Sequence, residues 1–213
     1  AIEKVTLVGA TGGISMTTSN ASIASGANLA IDLTASDDDA NTVDASAETN
    51  GTVTITADAT GAHIITLGAG NDSYTHTGTT GVSTVVGTKG NNIITTGGGA
   101  DIVTLGTGTD TVTSGGGNDT IKGTGPSVAA GVTTARNFTS ADIINAGTGT
   151  DTLEILTDGF TLVDTDFAGL TSVEVLTSTA GTTARMTSAT LGANAMAAGI
   201  TTVTMADTSA SDK

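Results

Sequence analysis

The segment TGGGADIVT, LGTGTDTVT, SGGGNDTIK, which runs through residues 96–122, consists of three consecutive copies of a nine-residue unit. Each copy has Gly at its second and fourth positions, Asp at its sixth and a β-branched aliphatic residue at its eighth. Repetition at a fixed period indicates a solenoid, in which one coil buries its apolar face only against its neighbours.

The same pattern continues on both sides of this segment. Looser copies occupy residues 67–75, 87–95 and 146–154, and partial copies occupy 61–66 and 142–145. Glycines at the second and fourth positions allow the backbone to reverse direction, and the last three residues of each unit read as a short strand. Two units then form one coil, so that residues 18 apart lie one above the other.

These units resemble the RTX nonapeptide, G-G-x-G-x-D-x-U-x with U a large apolar residue, over residues 61–125 and 141–155. The resemblance implies an all-β fold, a right-handed parallel β-roll or β-solenoid with stacked calcium-binding turns. It also implies type I secretion. The Thr-rich, Cys-free composition is similar to that of S-layer and other large secreted bacterial surface proteins.

Hard oxygen ligands without His or Cys favour Ca²⁺ over Mg²⁺, which retains more water. We expect several ions between stacked turns, with Asp101 and Asp119 facing one and Asn92 and Asp110 another. The candidate side-chain ligands are Asp72, Asn92, Asp101, Asp110, Asp119, Asp142 and Asp151. The candidate backbone carbonyls belong to Gly70, Gly97, Gly99, Gly106, Gly108, Gly115, Gly117, Gly147 and Gly149.

Two irregular spacings predict insertions. Asp119 and Asp142 are 23 positions apart, and a loop over residues 126–141 keeps Asp142 stacked on Asp110 and Asp151 on Asp119. Asp72 and Asn92 are 20 apart, one coil with two extra residues. His63, at the position of the family's Asp, is a poor calcium ligand, so the ladder is expected to begin at Asp72.

The eighth positions predict a thin aliphatic core. The inward residues are expected to be Tyr74, Ile94, Val103, Val112, Ile121, Ile144 and Leu153. Burying two such side chains per 18 residues does not offset the backbone entropy of the coil, so calcium binding is expected to contribute to folding.

Composition excludes several functions. The net charge is −15 with only six Lys and Arg, which removes a nucleic-acid or anionic-membrane surface. There is no Cys, and no apolar stretch is long enough to span a membrane. We find no catalytic motif and expect no enzyme activity in this chain.

We predict three regions of one continuous solenoid: N-terminal rungs over 1–60, the calcium roll over 61–156 with its inserted loop, and C-terminal rungs over 157–213. One helical turn is expected near Ala193–Ala198. Asp37, Asp38 and Asp39 are expected in a solvated acidic loop, with a further calcium site as the alternative.

Three smaller expectations concern single side chains. His63 and His76 are expected at the surface or in turns. Ile93, Ile102 and Ile143 occupy outward positions, and the 126–141 loop is expected to cover them; otherwise they form a face for a neighbouring subunit.

The leading hypothesis is a calcium-dependent structural module of a secreted bacterial surface protein, S-layer-like, that folds and assembles on extracellular Ca²⁺. Its expected partners are further copies in a lattice and a cell-surface polysaccharide anchor outside this segment. The alternative is the RTX roll of a type I secreted enzyme or adhesin whose active part lies outside the segment. A Thr-rich ice-binding solenoid is disfavoured because the outward Thr array is short.

Overall fold

The protein is almost entirely β-structure. The computed structural model describes residues 4–8, 12–20, 23–35, 40–57, 60–124, 136–156, 160–178 and 188–205. Within these ranges the chain forms short parallel strands, one 3-10 helix at Asp164–Phe167 and one α-helix, α1, at Ala193–Ala198. The predicted all-β parallel roll and the predicted helical turn are both confirmed.

From residue 4 to residue 155 the strands alternate between two parallel sheets along the chain, as two nonapeptides per coil require. In spatial order the first sheet contains β1 (Lys4–Val8), β3 (Asn28–Ala35), β5 (Thr52–Ala57), β7 (Ser73–His76), β9 (Ile93–Thr95), β11 (Thr111–Thr113), β13 (Ile143–Asn145) and β16 (Leu170–Thr171). The second contains β2 (Ser15–Thr17), β4 (Asn41–Asp44), β6 (His63–Thr66), β8 (Ser83–Val86), β10 (Ile102–Thr104), β12 (Thr120–Gly123), β14 (Thr152–Ile155), β17 (Val175–Ser178) and β19 (Thr202–Met205). A small third sheet pairs β15 (Thr161–Leu162) with β18 (Ser188–Ala189).

The register follows the 18-residue coil. Thr111 of β11 lies between Ile93 of β9 and Ile143 of β13. The second of these steps spans the inserted loop, yet the strands pair in the same alignment, so the loop leaves and rejoins the coil without shifting the ladder. The predicted stacking of Asp142 on Asp110 and of Asp151 on Asp119 is therefore confirmed.

The core lies between the two sheets and is mainly aliphatic. All seven residues predicted to point inward are at most 1% exposed. Within the repeat copies Tyr74 is the one buried aromatic residue, and the other large side chains, Phe138, Phe160 and Phe167, are buried where the repeat breaks down. The short strands of the repeat each bury one side chain at the eighth position, and this explains why aromatic residues are scarce.

The inserted loop contributes its own core residue. A Cβ on Gly123 would lie 2.7 Å from the Cβ of Phe138, so glycine makes room for the phenyl ring. The Asn137 side-chain amide donates to the carbonyl of Leu105 at 2.6 Å, and this bond ties the end of the loop to the preceding turn. Residues 125–135 lie outside the described part of the chain.

Strands pair across both predicted region boundaries, and the division into three regions stays a prediction. β4 pairs with β6 before the roll, and β14 pairs with β17 after it. One of the C-terminal rungs turns sharply from the first sheet into the second. Leu170–Thr171 belongs to the first sheet and Val175–Ser178 to the second, with Ser172 at φ 56° at the corner between them.

Polar contacts fix the C-terminal rungs. Asp164 accepts the backbone N–H groups of Gly192, Asn194 and Ala195 at the start of α1, at 2.7–3.1 Å. Arg136 forms an ion pair with Asp166. None of the described helices has the length and apolar character that a membrane span needs.

Candidate metal centre in the stacked turns

The turns that join the two sheets stack in two columns. Column A denotes the turns that lead into the first sheet, and column B those that lead into the second. Each strand begins just after its sixth-position residue, which places those residues in line along the roll. Column A contains Asp72, Asn92, Asp110 and Asp142; column B contains Asp101, Asp119 and Asp151.

Glycine is required in these turns for two reasons. Among the predicted positions, the left-handed φ values range from 87° at Gly97 to 148° at Gly149. The residues in this region are Gly97, Gly99, Gly108, Gly115, Gly117, Gly147 and Gly149. Gly70 and Gly106 are outside it, and there close packing imposes the choice: a Cβ on Gly70 would lie 2.0 Å from the carbonyl oxygen of Gly51.

The turns of column B hydrogen-bond to one another through their backbones. Gly116 N donates to the carbonyl of Gly97 at 2.8 Å, and Thr148 N donates to that of Gly115 at 2.8 Å. These second-position carbonyls therefore already have a partner. In the described part of the chain no hydrogen bond reaches the fourth-position carbonyls of Gly99 and Gly117.

The aspartates form a second ladder that the spacing does not reveal. One carboxylate oxygen of each accepts the backbone N–H of the residue at the same position in the preceding coil. Asp101 N donates to Asp119 Oδ1 at 2.8 Å, and Asp119 N donates to Asp151 Oδ1 at 2.7 Å. In column A, Asp110 N donates to Asp142 Oδ1 at 2.8 Å. One oxygen of each carboxylate is thus committed to the fold.

The other oxygen is free in four of these side chains. The Oδ2 atoms of Asp72, Asp101, Asp119 and Asp151 are buried and have no hydrogen-bond partner. An unpaired buried carboxylate oxygen is costly, since it has lost its water and gained nothing in return. A hard cation in the turn satisfies it, and the residues present therefore fit a calcium ion.

Column A departs from this pattern beside the inserted loop. Asp110 Oδ2 accepts Gly106 N at 3.1 Å, and Asp142 Oδ2 accepts Thr139 N at 2.7 Å. Asn92 uses its side-chain oxygen to accept Asp72 N at 3.1 Å, the role that Asp has elsewhere in the ladder. Both oxygens of Asp110 and of Asp142 thus have protein partners, unlike those in column B.

Burial is the main influence on the titration of these carboxyl groups. It raises the pKa of Asp72, Asp101, Asp110, Asp142 and Asp151, against backbone hydrogen bonds that lower it. The pKa of Asp119 is raised to about 6, chiefly by burial and further by the charges of Asp101 and Asp151. Without a cation, the folded state therefore disfavours the ionised carboxylates.

The sequence pattern missed two members of column B. Ser83 begins β8 and its N–H donates to Asp101 Oδ1 at 2.5 Å, so residues 78–86 are a degenerate repeat with Ser in place of Asp. At the other end Glu174 Oε2 accepts Asp151 N at 2.8 Å. A search that allowed Ser and Glu at the sixth position, with a variable step, would have found both.

The two histidines are buried, so the prediction that they lie at the surface or in turns is wrong. His63 and His76 are fully buried, and their rings meet edge to face with centroids 4.8 Å apart. His76 Nδ1 lies 3.1 Å from Ser83 Oγ, which is 3.0 Å from the Tyr74 hydroxyl. Burial, with a smaller contribution from His76, lowers the pKa of His63 to about 4, so this ring is neutral in the folded protein.

The described residues contain no group of three or more His, Asp or Glu side chains that would hold a metal ion by themselves. A cation in these turns would therefore depend on backbone carbonyls as well as on one or two carboxylates. Glycine-rich turns supply such carbonyls, because nothing beyond Cα shields them. The geometry is that of an oxygen site for a hard cation, shared between stacked turns.

Comparison with protein-family models gives one match, to the RTX calcium-binding nonapeptide repeat (4 copies), at residues 77–112, 106–125 and 139–154. These residues make up less than a third of the chain. Neither the search of curated proteins nor that of solved structures gives a significant match. RTX nonapeptide repeats bind several Ca²⁺ ions, so the roll is a calcium-binding structural module.

Proposed function

We propose that this chain is a calcium-dependent structural module of a secreted bacterial surface protein, and that it folds and assembles on extracellular Ca²⁺. The observation that carries the proposal is the row of buried, unpartnered carboxylate oxygens on Asp101, Asp119 and Asp151 within an RTX repeat array. Buried carboxylates at this density destabilise a fold unless a cation compensates them.

The proposed ligands follow from the contacts in the turns. In column B the free Oδ2 atoms of Asp101, Asp119 and Asp151 bind ions together with fourth-position carbonyls such as those of Gly99, Gly117 and Gly149. Gly97, Gly115 and Gly147 contribute carbonyls from the second position. In column A, Asp72 is the strongest ligand, with Gly70, Gly106 and Gly108 as carbonyl donors.

Binding is weaker beside the inserted loop. Asp110 and Asp142 retain a calcium role only if an ion displaces the N–H groups of Gly106 and Thr139. Asn92 contributes an amide oxygen at most, because its Oδ1 already accepts Asp72 N. The ions of column B therefore bind first, and the site between Asp110 and Asp142 binds last.

Calcium concentration then controls where the chain folds. At low cytosolic Ca²⁺ the stacked carboxylates repel one another, and the chain stays unfolded for export through a narrow channel. Extracellular modules bind with dissociation constants of about 10⁻⁴–10⁻³ M, which external calcium exceeds and cytosolic calcium does not. Secretion and cell-surface localisation follow from this proposal.

Self-association is supported by exposed isoleucines on the first sheet. Ile93 and Ile143 are 56% and 57% exposed, although the expected cover over them includes residues outside the described ranges. Large aliphatic side chains on a rigid sheet favour contact with a second copy. A roll that serves a separate catalytic or adhesive domain has no need of such contacts.

Sedimentation velocity of the full chain in CaCl2, MgCl2 and chelator tests this proposal. The surface-module hypothesis predicts species larger than the monomer in calcium, and their loss when Ile93→Thr and Ile143→Thr are combined. A monomer that binds calcium and folds, but never assembles, supports the alternative of an RTX roll attached to an enzyme or adhesin.

A further inference from the structure

Glu48 is a buried acidic residue that lies before the RTX match. Its side chain is fully buried, and neither Oε1 nor Oε2 has a hydrogen-bond partner. It lies in the turn between β4 and β5, where the nonapeptide pattern is absent and where the family match has not yet begun. The RTX repeat pattern therefore does not account for this carboxylate.

The turn that holds Glu48 stacks on the first glycine-rich turn of column A. The carbonyl of Glu48 accepts Ala69 N at 2.8 Å. A Cβ on Gly68 would lie 3.0 Å from the Glu48 Cβ, and one on Gly70 would lie 2.0 Å from the carbonyl oxygen of Gly51. The two turns are thus in direct contact along the column.

Asp72 faces the same space with a free oxygen. Its Oδ1 accepts Val53 N at 2.7 Å, whereas its buried Oδ2 has no partner. A Cβ on Gly70 would lie 3.2 Å from Asp72 Oδ1, and the neighbouring Gly68 packs against Glu48, so both acidic side chains border the same glycine-rich turn. Together they present three unsatisfied oxygens.

The protein offers the Glu48 carboxylate no hydrogen-bond donor. Both oxygens are buried, and neither has a hydrogen-bond partner in the described part of the chain. An ion pair is absent as well, since no basic side chain contacts Glu48 in the described ranges. A divalent cation satisfies all three oxygens at once.

We propose that Glu48 and Asp72 bind a calcium ion between the 45–51 and 67–72 turns, one site beyond the nonapeptide array. This inference rests on the proposed calcium-dependent role of the roll. Calcium bound here extends column A by one coil toward the N-terminus and joins the rungs of β4 and β5 to the calcium-folded part of the solenoid.

The test counts bound calcium per chain by native mass spectrometry of the full-length wild type, Glu48→Gln and Glu154→Gln. Glutamine keeps the volume of Glu48 and removes its charge. Glu154 is a matched control, because it loses the same charge from the outward face of β14, where it pairs with Lys122 at 3.2 Å. The proposal predicts one ion fewer in Glu48→Gln and an unchanged count in Glu154→Gln.

Thermal melts distinguish a calcium site at Glu48 from a buried glutamate that binds no ion. Glu48→Gln is expected to raise the Tm in chelator, because an uncompensated charge is gone, and to reduce the gain in Tm on adding calcium. Equal calcium counts and equal gains for Glu48→Gln and wild type would overturn the proposal. A wild type that binds no calcium would instead overturn the proposed function of the whole roll.

A crystal structure of the calcium-loaded wild type decides the matter even if Glu48→Gln fails to fold. An anomalous calcium peak within bonding distance of Glu48 and Asp72 supports the proposal. Calcium peaks in column B with none beside Glu48 contradict it.

Discussion

Asp119 divides its two carboxylate oxygens between the backbone and the space in its turn. Oδ1 accepts the N–H of Asp101, while Oδ2 is buried without a partner. Asparagine at this position retains an oxygen that accepts the N–H of Asp101, but it removes the negative charge that a cation needs. Substitution at this residue therefore separates the structural role of the ladder from metal binding.

For Asp119→Asn we predict a smaller calcium-dependent gain in Tm and no loss of Tm in chelator. An ion present at tenfold its dissociation constant stabilises the folded state by about 1.4 kcal/mol. In a chain of this size its loss lowers the calcium-loaded Tm by about 3–6 °C. Differential scanning calorimetry with and without CaCl2 measures both values.

The control is Asp32→Asn on β3, where the carboxylate bonds only locally, to the N–H and hydroxyl of Thr34. It removes the same charge and is expected to leave the calcium-dependent gain unchanged. Equal effects of the two substitutions would show that net charge, rather than a site at Asp119, sets the response to calcium.

The raised pKa of Asp119 predicts opposite pH responses with and without calcium. Its folded-state pKa of about 6 lies above the usual aspartate pKa of 3.8. Its contribution to stability without calcium is therefore full below pH 3.8 and is lost as the pH rises through 6. Calcium requires the ionised carboxylate, so the calcium-dependent gain increases over the same rise.

Thermal melts at pH 5.0 and 7.5 test this prediction. In chelator the Tm of wild type relative to that of Asp119→Asn is expected to be higher at pH 5.0 than at pH 7.5, and the gain on adding calcium is expected to be larger at pH 7.5. The comparison with Asp119→Asn is needed because neutral, buried His63 favours the folded state as the pH rises, and this contribution is common to both proteins. A Tm of wild type in chelator that increases relative to Asp119→Asn between pH 5.0 and 7.5 would contradict the raised pKa.

At the scale of the element, the turns depend on individual glycines rather than on glycine content. Gly117 has φ 118°, and a Cβ there would lie 1.9 Å from the carbonyl oxygen of Gly99. At its neighbour Gly116 the nearest contact of a Cβ is Thr148 Oγ1 at 3.3 Å. The two adjacent glycines therefore differ strongly in how well they tolerate a side chain.

We predict that Gly117→Ala destabilises the calcium-loaded fold by at least about 2 kcal/mol, from backbone strain and the clash with Gly99. Gly116→Ala, one residue away, should cost less than about 1 kcal/mol. Urea unfolding in saturating calcium measures the difference. Similar unfolding midpoints for the two variants would contradict the stacked-turn geometry.

The inserted loop contributes to the stability of the fold through Phe138. Phe138 is fully buried against Gly123 and beside Leu105, at the point where the regular turn is replaced. Phe138→Ala is predicted to cost about 3–5 kcal/mol, the usual range for a buried aromatic side chain. Val163→Ala, at a residue 46% exposed, is the control in the same urea unfolding series.

The sequence predicted the elements that belong to the repeated nine-residue unit. Register, the inward residues and the stacking across the loop follow from the spacing of Asp and aliphatic residues. The repeat that ends in β8 was missed because Ser83 replaces Asp and the step from Asp72 is irregular. The burial of His63 was missed because its position in a degenerate repeat points inward, and residue type alone favours the surface.

At the scale of the whole molecule, the acidic composition and the thin core have one explanation. The net charge of −15 includes six aspartates that the ladders bury at 0–1% exposure. The spacing predicted where these residues stack but not how they bond. Side-chain geometry decides which carboxylate oxygen accepts a backbone N–H and which has no hydrogen-bond partner. A repeat pattern does not encode that geometry. The carboxylate of Glu48 was missed for the same reason.

The central claim is that calcium binding and folding of the roll are a single process. Far-UV circular dichroism of the chelated full chain during titration with CaCl2 tests it most directly, with MgCl2 as the control. At 37 °C and pH 7.5, above the Tm of the chelated chain, we predict little β-structure in chelator, and a cooperative gain between about 10⁻⁴ and 10⁻³ M calcium that magnesium does not reproduce. Full β-structure in chelator, with a Tm that calcium leaves unchanged, would contradict the claim.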